Sequence, residues 1–103
     1  MNCVVRFPSY WINASQFETA LGRSCGPHNT NNNHVTFEFP ERCKIMVDSA
    51  VRLLSLANQL VSATKSVCLD FEEGEAGTMG YLNRMGFFDH LAQDVEVRPH
   101  RPS

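Results

Sequence analysis

A change of hydrophobic period at Pro40 constrains the fold of this chain more than any other feature. Val35, Phe37 and Phe39 alternate with Thr36 and Glu38 until Pro40 ends the run, which is the two-residue period of a half-buried strand. Beyond it, Ala50, Leu53, Leu54, Ala57, Leu60 and Val61 follow the i, i+3, i+4, i+7 spacing of one helical face, with Arg52, Ser55, Gln59 and Ser62 opposite. The spacing predicts a helix over 49–64 with Asp48 or Ser49 as its N-cap. Val67-Cys68-Leu69-Asp70-Phe71 reads as a central strand, followed by an acidic turn at Glu72-Glu73-Gly74-Glu75 that suits a helix N-terminus. Tyr81, Leu82 and Met85 form the next apolar stripe, Gly86 fits the residue after a helix end, and Phe88 and Leu91 add a further turn. Val95 and Val97 make a last short strand before Pro99 and Pro102. The order strand, helix, strand, helix, strand implies parallel strands joined by right-handed crossovers.

The N-terminal part adds a strand over 2–7, closed by Pro8, and a short helix carrying Phe17, Ala20 and Leu21. Asn13 or Ser15 is placed to cap that helix and Gly22 to end it. Residues 24–33 lack apolar anchors, so they are expected to be mobile or held by a partner, and shortening the run from Asn29 to Asn33 is expected to leave folding nearly unchanged. Cys43 to Met46 either extends the sheet or leads into the long helix. The predicted fold is a single α/β domain over 1–103, with a mixed, largely parallel sheet of four or five strands and helices packed on it. Within it, 1–22 hold the first strand and short helix, 23–33 a loop, 34–98 the core and 99–103 a tail.

Composition narrows the function classes. At 103 residues and 43% hydrophobic content the chain can bury one modest core. Nine Lys and Arg stand against eleven Asp and Glu, a net charge of -2, which gives no broad attraction to nucleic acid or anionic membranes. The most apolar stretch, 45–61, is interrupted by Asp48, Arg52, Asn58 and Gln59 and does not suit a membrane span. No basic, then apolar, leader opens the chain, so export is not expected. Cys3 and Cys68 sit in strand-like apolar runs, so reduced cysteines and a cytoplasmic location are expected.

The stretch from Val35 to Pro99 resembles a STAS domain, the module shared by anti-sigma-factor antagonists and sulphate transporters. Val35-Thr36-Phe37-Glu38-Phe39 stands for that family's strand, and Met46-Val47-Asp48-Ser49-Ala50 for its Asp-Ser loop ahead of an apolar helix containing Leu53-Leu54. Tyr81-Leu82-Asn83-Arg84-Met85-Gly86-Phe87-Phe88 stands for the closing helix and turn. Where the family often has Gly soon after Asp-Ser, this chain has Ala50-Val51. The closing stretch and the basic Arg98-Pro99-His100-Arg101-Pro102 also look like STAS-like regions that precede histidine-kinase-type ATPase domains in larger bacterial proteins. The resemblance implies a non-enzymatic regulatory module that binds a protein partner of the ATPase or kinase type and needs no cofactor. It makes Asp48 and Ser49 the interaction and phosphorylation site; if Ser49 is only a cap, the interface is expected instead around Tyr81, Phe87 and Phe88. A plain helix cap is the competing reading of Ser49.

Chemistry from a different class starts from the loop between Cys25 and Cys43. Cys25, His28, His34 and Cys43 offer two thiols and two imidazoles, the donor set of a zinc site, but without a Cys-x2-Cys pair. Cys25 beside His28 or His34 is also the raw material of a thiol nucleophile. A small metal-dependent or thiol enzyme is therefore the alternative. Asp89-His90 are consecutive on a helix end and point apart, and Gly74, Gly77 and Gly80 match no phosphate-binding motif. Glu72, Glu73 and Glu75 lack the alternating ligands of a calcium loop. Tyr10, Trp11 and Phe17 are expected as core or interface anchors.

Overall fold

The computed structural model describes residues 2–24, 26, 27, 29 and 31–102, with backbone only for Glu75. Among the described residues the strands are β1 (Asn2–Arg6), β2 (Trp11–Ile12), β3 (His34–Phe39), β4 (Lys44–Ile45), β5 (Ser66–Phe71) and β6 (Glu96–Arg98). Four helices accompany them: α1 (Ala14–Gly22), α2 (Val47–Ser62), α3 (Thr78–Arg84) and α4 (Phe87–His90). The main sheet has the order β1-β3-β5-β6 with every neighbouring pair parallel, as the strand–helix alternation implies.

Cys3, Val5, Val35, Phe37, Phe39, Val67, Leu69, Phe71 and Val97 point to one face and are buried. The other face carries Val4, Arg6, Thr36, Glu38, Asp70 and Arg98, none of them buried, and Cys68, which is buried at the centre of β5. One-in-one-out alternation is the mark of a sheet with helices on a single face, whereas parallel strands covered on both sides read as continuous apolar runs. All seven phenylalanines lie in the core. Phe17, Phe7, Phe39 and Phe71 stack in series at 5.1, 5.0 and 4.6 Å, and Phe88 meets Phe71 edge-on at 6.2 Å. This row of rings crosses three strands and joins α1 to α4.

α1 begins with the expected Asn13 cap: its side chain accepts the Gln16 N–H at 2.8 Å, and the Gln16 side chain accepts the Asn13 N–H in return. α2 buries Leu53, Ala57 and Leu60 as the periodicity predicts, and Leu56 as well, while Leu54 and Val61 are only partly covered. Gly86 takes a left-handed φ of 84° just after α3, the conformation its place in the sequence implied.

Three expectations are refined. Of the two readings of 43–46, the segment leads directly into α2 rather than extending the main sheet, and β4 pairs in parallel with β2, a two-residue strand too short to show a period. The acidic turn does more than precede the following helix: the Glu73 carboxylate lies against Gly77 at the start of α3, and the turn also reaches across to another, Glu72 accepting the Glu41 N–H and Glu73 the Arg42 N–H. The Asn-rich loop is anchored by a polar device rather than an apolar one. Lys65 Nζ donates to the carbonyls of Pro27, Asn29 and Asn32 at 2.9, 2.6 and 2.9 Å, and the buried Asn32 side chain donates to the Gly26 carbonyl.

The tail is also tied down. Arg101 donates to the carbonyls of Phe88, Leu91, Ala92 and Val95, and Pro102 is buried. Among the described residues no helix is long and apolar enough to cross a membrane.

Candidate functional site

The start of α2 is where the sequence placed the site, and its geometry departs from a simple cap. The N-cap is Met46, which makes no side-chain cap bond, and Ser49 is the third helical residue. Ser49 is 0% exposed, and its hydroxyl donates to the Ile12 carbonyl of β2 at 2.8 Å. The same carbonyl accepts the Met46 N–H at 3.0 Å. Asp48 is exposed; one carboxylate oxygen accepts the Ala14 N–H at 3.1 Å and the other the Ser49 N–H at 2.8 Å. Neither residue is therefore the cap. Ser49 directs its proton to another strand, and Asp48 bridges the starts of the two longest helices.

Around this helix start the surface is apolar. Trp11 is 63% exposed, Met46 43%, Val47 57% and Val51 60%. Val47 and Val51 lie one turn apart on α2, and Met46 is hydrogen-bonded to Ile12, the neighbour of Trp11. The chain hides every phenylalanine and shows its single tryptophan. Scattered exposed apolar residues are ordinary, but exposed tryptophan and methionine are residue types enriched at protein interfaces.

Of the other predicted interface residues, Tyr81 is partly exposed, whereas Phe87 and Phe88 are buried and pack edge to face at 5.1 Å. Tyr81 lines a hollow of about 220 Å³ together with Trp11, Lys44 and Arg84. A larger groove of about 620 Å³ runs beside β1 and α1, where Arg6 is held at 3.2 Å by both Glu38 and Glu72. Phe17 is core, while Tyr10 stands exposed on the rim of that groove.

Cys25 and His28 lie outside the described residues. His34 is exposed at the start of β3, and Cys43 is buried. Burial pushes the Cys43 thiol up to about 12, so at neutral pH it is a protonated, weakly nucleophilic group. Burial also raises the Cys68 thiol. Cys43 and Cys68 are free thiols and Cys3 is disulfide-bonded, which corrects the reading of Cys3 as a reduced core thiol. No group of three or more metal-ligating side chains occurs among the described residues.

The sequence pointed to this helix start and offered Trp11 as a core or interface anchor, but gave no sign that Met46, Val47 and Val51 would be exposed. Trp11 and Val47 fit no helical or strand period, and β2 is too short to show one. Comparison with protein-family models, with curated proteins and with solved structures finds no match to the chain.

Proposed function

We propose that the chain is a non-enzymatic regulatory module of the STAS-like kind, binding a protein partner of the histidine-kinase-type ATPase class. The observation that carries this reading is the exposed surface of Trp11, Met46, Val47 and Val51 at the start of α2, on a molecule that buries all its phenylalanines. Large aromatic side chains at the centre of an apolar patch supply most of the binding energy at protein interfaces. Asp48 and Ser49 belong to the same helix start, as the resemblance implies. In this reading Ser49 acts through β2: a phosphoryl group on its oxygen has to displace the Ile12 carbonyl, so modification and release of β2 go together.

The test is calorimetric titration of the chain into a purified histidine-kinase-type ATPase from its own cell. Saturable binding is expected, weakened about tenfold or more by Trp11→Ala and by Val47→Asp, with both melting temperatures near the parent's. Absence of binding, or binding indifferent to both substitutions, overturns the proposal.

A further inference from the structure

We propose that the hollow between β2, β4 and α3 receives one large apolar side chain of the partner, flanked by that partner's carboxylates. This rests on the protein-interaction reading and names the chemistry of the occupant. Three observations converge on it.

The first is the wall. Trp11 and Tyr81 line the hollow and Ile45 closes its floor, so the interior accepts an apolar body. The floor offers no free hydroxyl, because Thr78 already donates to the Cys43 carbonyl. The second is charge. Lys44 and Arg84 also line the hollow, and neither pairs with an acid among the described residues. By contrast Arg6, Arg52 and Arg98 each hold a glutamate. Two unanswered cations beside two aromatic rings, on a chain of net charge -2, make this spot locally complementary to an anion. The third is size. About 220 Å³ is below the roughly 300–1,000 Å³ of sites that enclose a cofactor or metabolite. It suits a single side chain entering from a protein surface. The carboxylates then meet Lys44 and Arg84 at the rim, where they stay partly hydrated and need not pay a full desolvation cost.

Trp11 is the only tryptophan in the chain, so intrinsic fluorescence reports on this hollow directly. The probe is the synthetic peptide acetyl-Asp-Asp-Leu-Phe-Asp-Asp-amide, titrated against the full chain. A saturable change in Trp11 emission is expected. Lys44→Glu and Arg84→Glu should each weaken binding about tenfold or more. Arg23→Glu, which removes a cation that lies outside the hollow, should leave it unchanged. The Lys-Lys-Leu-Phe-Lys-Lys counterpart should stay silent. Equal response to both peptides, or no response to either, overturns the proposal. A silent acidic peptide together with saturable binding of a mononucleotide would assign the hollow to small molecules and overturn it too. Loss of ATPase binding in Trp11→Ala with no effect of Lys44→Glu or Arg84→Glu would leave the interaction reading standing and remove this one. A peptide that binds as described while no ATPase does would do the reverse.

Discussion

Replacing Ser49 separates a buried strut from a surface cap. The hydroxyl is fully enclosed and donates to the Ile12 carbonyl at 2.8 Å, but that carbonyl also holds the Met46 N–H at 3.0 Å. Ser49→Ala therefore removes one hydrogen bond without orphaning its acceptor, a loss of about 1 kcal/mol. Ser49→Asp is a different perturbation. It puts an acceptor-only carboxylate against a carbonyl oxygen, in a fully enclosed site and beside the Asp48 carboxylate, whose oxygen lies 3.5 Å from the present hydroxyl. An uncompensated buried charge costs about 3 kcal/mol or more. Part of that cost is relieved by protonation, since a carboxylic acid can donate to Ile12 as the serine does. The new carboxyl is thus raised in the folded state. The unfolded chain then loses its proton first as pH rises, so the penalty grows from the ordinary carboxylate range upward and shrinks toward acid. Urea unfolding reads all of this. With an m-value of about 1.5 kcal/mol per molar, Ser49→Ala should lower the midpoint by roughly 0.7 M and Ser49→Asp by about 2 M or more at pH 7. A Ser49→Asp protein that unfolds at the parent's midpoint would show that the helix start opens freely to water, and the coupling of Ser49 to β2 would fall.

Three further outcomes are expected. Lys65→Met keeps the stem but removes the ammonium from three carbonyls; it should cost about 2 kcal/mol and lower the melting temperature by on the order of 10 °C, with a shortened 29–33 segment behaving similarly. Cys43 is raised from 9.0 to about 12 by burial, so the unfolded chain loses this proton first; this thiol should lower stability by about 1.4 kcal/mol per pH unit as pH rises between those values, a contribution that Cys43→Ala should subtract from the parent's slope in paired urea curves. Arg101→Ala frees the carbonyls of Phe88, Leu91, Ala92 and Val95 and should cost about 2 kcal/mol, seen as faster amide exchange from 88 to 98.

What the sequence made legible was whatever repeats. The alternation of Val35, Phe37 and Phe39 and the stripe along α2 each rest on several residues, so strand, helix and parallel order follow with little ambiguity. Single contacts over long sequence distances leave no period. Nothing near Lys65 announces that its ammonium collects three carbonyls more than thirty residues away. The Asn-rich run looked loose because apolar anchors were the only kind its composition could reveal.

The same reasoning explains why the candidate site was half visible. Asp and Ser ahead of an apolar stripe are a local signal, and they do mark the start of α2 to within two residues. Their roles depend on β2, which is two residues long and pairs with another two-residue strand, so neither strand can be read from alternation. Yet that small sheet decides which surface is available. It holds the Ile12 carbonyl for Ser49 and Met46 and turns the Ile12 side chain inward, and strand geometry then sends its neighbour Trp11 outward. Burying one residue of β2 and exposing the next are two sides of one constraint. A change that breaks the Ser49 bond should therefore disturb Trp11 as well. Trp11 emission should shift in Ser49→Asp at urea concentrations below global unfolding, whereas Lys65→Met should move Trp11 only with the global transition. Identical pre-transition emission in Ser49→Asp and parent would separate the strut from the surface and break the link between them.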